Sequence, residues 1–250
     1  MKKNRIYIFL IVLFISSCTS TRKQLDIAAS FNEIQNIEDD SKINKIIQPY
    51  KAAVDIEMNK VIGFSEVEMP KLKDQPETVL GNFVADIVFE FSKTIDKETD
   101  FAVLNNGGLR SSMPAGNIAV RNVFELMPFD NKIVIVSMNG KYVNKLLSYI
   151  SERGGVPVSG LTMKLERMNG TIVTNEAKIN GKVFSSDSTY SIATSDYLSS
   201  GGDNMNFWSS GSIKVTGKKI RDSIIDYIRL KTTENKKLKP ILDKRIIIVN

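Results

Sequence analysis

The chain of 250 residues contains no histidine. That removes the usual general base of Ser-His-Asp and Cys-His sites. It also removes the commonest transition-metal ligand. There is one cysteine, Cys18, so neither an internal disulfide nor a Cys/His zinc constellation can form. A carboxylate-only Mg²⁺ or Ca²⁺ site is the remaining metal option, and no Asp-rich loop has suitable spacing for it. Long hydrophobic runs are missing too. The apolar stretch Ile6–Ile15 is too short for a comfortable membrane span. No dense basic stripe with interleaved aromatics appears, which argues against nucleic acid as a partner. What is present is an ordinary globular composition, 42% hydrophobic and 25% charged, in a length sufficient for one large domain or two small ones.

The N-terminus has its own pattern. Lys2, Lys3 and Arg5 precede Ile6–Ile15, and Ile15-Ser16-Ser17-Cys18 follows. A positive segment, a short apolar run and small residues form a secretory signal. Small residues before a lone cysteine resemble a bacterial lipobox, so residues 1–17 are expected to be a signal peptide and Cys18 a lipidated N-terminus. The expected location is the bacterial cell envelope, as a periplasmic or outer-membrane lipoprotein. Removing Lys2, Lys3 and Arg5 with the leader takes the formal net charge from +6 to +3, which is mild. Residues 18–42 are polar and mixed, and read as a tether. Residues 43–250 form the expected domain.

Within that domain, periodicity predicts a helix over Ile43–Met58 and a strand over Val61–Met69. Leu80, Val84, Ile87, Val88 and Phe91 share one helical face. Phe101–Leu104 and the β-branched run Ile133–Met138 predict strands, with a short helix over Val120–Leu126 between them. Tyr142, Leu146, Leu147 and Ile150 fit a helical stripe. Leu161–Glu166 predicts a strand, and Asn169-Gly170 a hairpin turn. Tyr190–Ala193 predicts a strand, Ser199–Asn204 a Gly-rich loop, Ile220–Ile228 a helix, and Arg245–Val249 a last strand. The Lys-rich stretches 214–219 and 231–239 read as solvated faces and a loop. Helices and strands alternate irregularly, with hairpins among them. That predicts an α+β fold, a layered domain with a mixed β-sheet flanked by helices.

Three Asn/Gly-rich turns follow strand-like runs, and each brings a side chain able to meet a ligand. Asn105-Asn106-Gly107-Gly108-Leu109-Arg110 leaves backbone N–H groups uncovered and ends in a cation that can make a two-pronged contact to phosphate or carboxylate. Taken alone, it is equally a tight turn with a solvated arginine. Pro128-Phe129-Asp130-Asn131 holds an aromatic in a turn. Tyr197 precedes Gly201-Gly202-Asp203.

Together these segments resemble the C-terminal, substrate-binding domain of the 5′-nucleotidase and UDP-sugar hydrolase family. Leu80-Gly81-Asn82 is similar to that family's Gly-Asn helix opening, and Asn105–Arg110 to its Asn-Gly-Gly-Gly-Ile-Arg loop. Gly116-Asn117-Ile118 with Met127–Asn131 is similar to its Gly-x-Ile and Pro-Phe-x-Asn segments. Met138–Lys141 matches a turn before a helix. Tyr190–Leu198 with Gly201-Gly202-Asp203 matches its Thr-x-x-aromatic-Leu and Gly-Gly-Asp stretch, and Lys244-Arg245-Ile246 its closing Gly-Arg-Ile. The resemblance runs from about Val61 to Ile248.

The resemblance implies that a nucleobase stacks between Phe129 and Tyr197, where the family often has phenylalanine at the second position. It implies that Arg110 meets a phosphate or carboxylate, and that Asn131 and Asp203 bond the base edge or the sugar hydroxyls. Asn105 and Gly154 are the other substrate-binding positions it implies. The family often places a further arginine before the Gly-Asn helix. Here Lys71-Leu72-Lys73-Asp74-Gln75-Pro76 has none, and Lys73 offers only a point charge. Full-length family enzymes hydrolyse with two metals on an N-terminal metallophosphoesterase domain. With no histidine, and no room for such a domain before Val61, this chain is expected to carry no catalytic residue and no cofactor of its own. Divalent metals are expected on a separate metallophosphoesterase partner chain. The alternatives are a stand-alone nucleotide-binding lipoprotein and a structural envelope lipoprotein without a hydrolase role.

Overall fold

The computed structural model describes residues 40–249. The expected signal peptide, Cys18 and the tether up to residue 39 lie outside these residues. The chain divides into two units, 1–46 and 47–250. The described part of the first is the start of helix α1 (Ser41–Met58), which therefore begins within the expected tether. No residue of α1 is buried, and Pro49 lies inside it. Among the described residues no helix is long and apolar enough to cross a membrane.

The second unit is an α+β domain. Its strands in chain order are β1 (Val61–Ser65), β2 (Thr99–Val103), β3 (Gly116–Ala119), β4 (Lys132–Asn139), β5 (Val158–Ser159), β6 (Leu161–Met168), β7 (Thr171–Ile179), β8 (Lys182–Val183), β9 (Thr189–Ser195), β10 (Ser212–Lys219) and β11 (Ile246–Val249). The remaining helices are α2 (Val79–Ile95), α3 (Val120–Leu126), α4 (Gly140–Glu152), α5 (Asp196–Ser199) and α6 (Ile220–Thr233). A five-stranded sheet has the order β10-β4-β9-β2-β5, with β2 parallel to β9 and the other neighbours antiparallel. A four-stranded sheet has the order β11-β6-β7-β8, in which β11 runs parallel to β6. Strands β1 and β3 pair separately.

Both faces of the five-stranded sheet are covered, and residue alternation along its strands decides what packs where. On β2, Ala102 belongs to one core while Phe101 and Val103 belong to the other; on β9, Ala193 and Ile192 divide in the same way. The first core takes Leu80, Val84, Ile87 and Val88 from α2, Val123 and Leu126 from α3, and Ile220, Ile224 and Ile228 from α6. The second takes Val143, Leu146, Leu147 and Ile150 from α4, with Leu161, Met163, Leu165 and Ile246 from the second sheet. Each such aliphatic side chain contributes about 1.5–3 kcal/mol when buried.

Local chemistry fixes the ends. Thr78 caps α2 by accepting from the Gly81 N–H at 2.9 Å, and Asn139 caps α4 by accepting from Lys141 at 3.0 Å. Asn169 and Gly170 both have positive φ, which two-residue hairpin turns require, and they join β6 to β7.

Four details differ from the sequence expectation. The first strand ends at Ser65, not Met69, because the Ser65 hydroxyl bonds the Val67 carbonyl at 2.7 Å and turns the chain. Val143, not Tyr142, completes the buried stripe of α4, and Tyr142 is exposed. The Ser199–Asn204 region is preceded by a full turn of helix, α5, and contains a 3₁₀ turn at Gly202–Asn204. Residues 212–219 form β10, an edge strand that pairs with β4; its Lys214 is exposed, and Lys218 and Lys219 are half-buried and pair with Asp226 and Asp130.

Candidate functional site

Three loops meet at one end of the five-stranded sheet, where β2 and β9 finish and β4 begins. The first leaves β2 through a 3₁₀ turn at Asn106–Gly108. Asn105 ends half-buried, and the Arg110 N–H donates to the Leu126 carbonyl at 2.8 Å, tying this loop to the end of α3. The second, Pro128–Asn131, links α3 to β4. The third runs from α5 through Gly201 and Gly202 to Asp203.

Asn105, Arg110, Phe129, Asn131, Tyr197 and Asp203 line one cavity of about 280 Å³, with Gly107 and Gly108. Phe129 and Tyr197 are 41% and 45% exposed, so both rings face solvent rather than either core. The Arg110 guanidinium lies 5.9 Å from the centre of the Phe129 ring, and its Nη1 is 3.4 Å from the Gly107 carbonyl. The Asn131 side-chain amide makes no hydrogen bond to the described residues, although its backbone carbonyl accepts from the Ile220 N–H at 2.9 Å.

Asp203 connects the walls. Its Oδ2 accepts from Asn105 Nδ2 at 2.6 Å, and its Oδ1 accepts from the Tyr197 hydroxyl at 3.0 Å. Its N–H donates back to that hydroxyl at 3.3 Å. Its carbonyl accepts from the Tyr149 hydroxyl at 3.0 Å and from Arg153 Nη2 at 3.1 Å. Asp203 is held in the left-handed region, φ 53°. Such a conformation costs about 1–3 kcal/mol, and these bonds offset it. Gly202 permits the arrangement. A Cβ there would sit 2.5 Å from Tyr197 Cε1, so the loop backbone packs directly on the ring.

The structure adds two residues that motif reading missed, Tyr149 and Arg153. They lie four apart at the end of α4, with the Arg153 guanidinium 4.5 Å from the Tyr149 ring centre. Their spacing was the available signal. Burial raises the Tyr149 phenol above its ordinary pKa, partly countered by the Arg153 charge. Both line an adjoining cavity of about 240 Å³ that shares Asn105, Gly107 and Asp203 with the first. Gly154 lines neither cavity; its neighbours Arg153 and Gly155 line the adjoining one. Lys73 lies elsewhere, in a pocket of about 310 Å³ with Lys71, Asn106 and Arg153. Among the described residues, no cluster of three or more acidic or thiol side chains forms a metal site.

The sequence model of the 5′-nucleotidase C-terminal domain matches residues 61–210. The chain belongs to the 5′-nucleotidase C-terminal domain family. Members include Protein UshA of Yersinia enterocolitica, 30% identical over 176 residues, which are 68% of this chain and 30% of that protein. The trifunctional nucleotide phosphoesterase protein YfkN of Bacillus subtilis is 27% identical over 194 residues, 71% of this chain and 13% of that protein. This chain thus spans less than a third of either relative. The crystal structure of a 5′-nucleotidase precursor from Thermus thermophilus superposes with a TM-score of 0.70 at 25% identity, covering 83% of this chain and 43% of that one. The layered α+β architecture, with its mixed sheets, is that of the 5′-nucleotidase C-terminal domain.

Proposed function

We propose that residues 43–250 bind a nucleotide or nucleoside and take part in its hydrolysis together with a separate metallophosphoesterase chain. The base lies between Phe129 and Tyr197. Asn131, Asp203 and Asn105 meet its edge or the sugar hydroxyls, and Arg110 meets a phosphate. The observation that carries this reading is convergence. Two solvent-facing rings and four polar or charged side chains, drawn from three loops, line one cavity. Its volume of about 280 Å³ is near the lower end for small-molecule sites, roughly 300 Å³. A stacked base gains about 1–3 kcal/mol from each ring, with little dependence on its identity.

Family membership and the names of the relatives support the ligand class. The want of any histidine in the chain supports placing the hydrolytic metals on the partner. In the same reading Cys18 is acylated and holds the domain at the bacterial cell envelope.

Mixing the chain with a metallophosphoesterase chain from the same genome and measuring phosphate release from AMP and UMP tests the partnership. Release is expected only in the mixture, and not with Phe129→Ala/Tyr197→Ala. Binding without release in any mixture leaves a stand-alone binding lipoprotein. For the anchor, Cys18→Ala is expected to abolish membrane partition and the lipid mass increment. A wild-type chain that is soluble and carries no lipid contradicts that assignment.

A further inference from the structure

The loop that carries Phe129 and Asn131 is held by a segment that touches neither the cavity nor its other walls. Three consecutive residues at the junction of β10 and α6 bind four consecutive residues, Pro128 to Asn131. Arg221 Nη1 donates to the Pro128 carbonyl at 3.3 Å and to the Phe129 carbonyl at 3.4 Å. Arg221 Nη2 donates to Asp130 Oδ1 at 2.5 Å. Lys219 Nζ donates to Asp130 Oδ2 at 2.8 Å. The Ile220 N–H donates to the Asn131 carbonyl at 2.9 Å.

Arg221 is the anchor of this set. It is 8% exposed, and its guanidinium lies 4.3 Å from the centre of the Phe124 ring on α3. A buried arginine is costly unless its donors are used; here both terminal nitrogens bind the backbone and side chain of a single turn, while the buried Nε has no hydrogen-bond partner among the described residues. The Phe129 ring is 41% exposed, with the Arg110 guanidinium 5.9 Å from its centre. The backbone that carries the ring is held by Arg221, with Lys219 and Ile220 beside it.

We infer that Arg221 is a positioning residue for ligand binding: its grip on Pro128–Asp130, with Lys219 and Ile220 beside it, holds Phe129 and Asn131 where a stacked ligand needs them. This rests on the proposed nucleotide site. It adds a determinant that lies outside the cavity and 92 positions along the chain from Phe129.

The test titrates the full chain with AMP and adenosine by calorimetry, for wild type, Arg221→Met, Arg221→Lys and Asp130→Ala. Arg221→Met is expected to weaken both ligands about tenfold, as loss of one aligned stack would. Arg221→Lys, which keeps the charge but not the fork, should recover part of that loss. The decisive readout is a double-mutant cycle. In a Phe129→Ala background, Arg221→Met should cost less than about twofold more, because its effect acts through that ring. If Arg221→Met does not fold, Asp130→Ala decides. Its side chain is 65% exposed, so the fold tolerates its removal, and it should weaken binding several-fold. Unchanged affinity in these variants, or an undiminished loss in the Phe129→Ala background, overturns the inference while leaving the site intact. No saturable binding by the wild type overturns both.

Discussion

At the scale of single residues, exposure alone does not distinguish Phe129 and Tyr197, since Tyr50, Phe64 and Tyr142 are also exposed. What distinguishes them is company. They share a cavity with Arg110, Asn105, Asn131 and Asp203. Each ring therefore has a separable role. Phe129→Ala and Tyr197→Ala are each expected to weaken nucleoside binding by about 1–3 kcal/mol, read by calorimetry. Tyr197→Phe keeps the ring face and removes only the hydroxyl's two bonds to Asp203, so its loss should be the smaller one. Arg110→Ala should weaken AMP roughly tenfold more than adenosine, because only the nucleotide presents phosphate oxygens to a charge-assisted bond. Equal losses for the two ligands would remove the phosphate from its assigned place. Six of the seven positions that the resemblance assigned to substrate, all but Gly154, line this cavity, and they were legible because Asn, Gly and aromatic residues in turns carry a local signal. Tyr149, Arg153 and Arg221 carried none that strong, because their roles depend on contacts far apart in the chain.

At the scale of elements, the N-terminus of α2 is tied to the end of the chain. Asn82, 2% exposed, donates from Nδ2 to Glu77 Oε1 at 2.6 Å and to the Ile241 carbonyl at 3.0 Å. This explains a poor helix former in the first turns of a helix. Asn82→Leu should cost about 1–3 kcal/mol, by removing the donor to the Ile241 carbonyl and one of the donors to Glu77 Oε1, which also accepts from the Asp243 N–H, and lower the melting temperature. Nearby, Arg245 bridges Asp86 and Asp243, at 2.6 Å and 2.7 Å. Burial pushes the Asp243 carboxyl up, but the Arg245 hydrogen bond and charge outweigh it and hold the pKa below its ordinary value. A depressed carboxylate stabilises the fold above its unfolded pKa, near 4, and that stability is lost as pH falls through the folded value. Wild-type melting temperature should fall below about pH 4, and Arg245→Met should flatten that part of the profile. An identical acid profile would remove the pair from the account. Elements with a strong apolar pattern, one-sided in α2 and a β-branched run buried on both faces in β4, were legible in the sequence. Strand β10 was not, because its alternation is confined to Ile213-Lys214-Val215-Thr216 and the lysines around it read as a solvated face.

At the scale of the whole molecule, the chain supplies a domain and its relatives supply much more. It spans 30% of the Yersinia protein and 43% of the Thermus structure. The layered fold places three loops at one end of the sheet, and its helices and second sheet bury both faces behind them. In the proposed account this scaffold presents a ligand and leaves the cutting to another chain. The order of the loops along the sequence was legible as a family resemblance. That the loops meet was implied by the resemblance and not by periodicity or composition, because the meeting point is created by the pairing of β2, β9 and β4 across the sheet. The most direct test of the account is calorimetric titration of the full chain with AMP, for wild type and for Phe129→Ala/Tyr197→Ala. The account predicts saturable single-site binding by the wild type, weakened at least about 30-fold in the double variant by the loss of two stacks. No saturable binding, or the same affinity in both proteins, would contradict it.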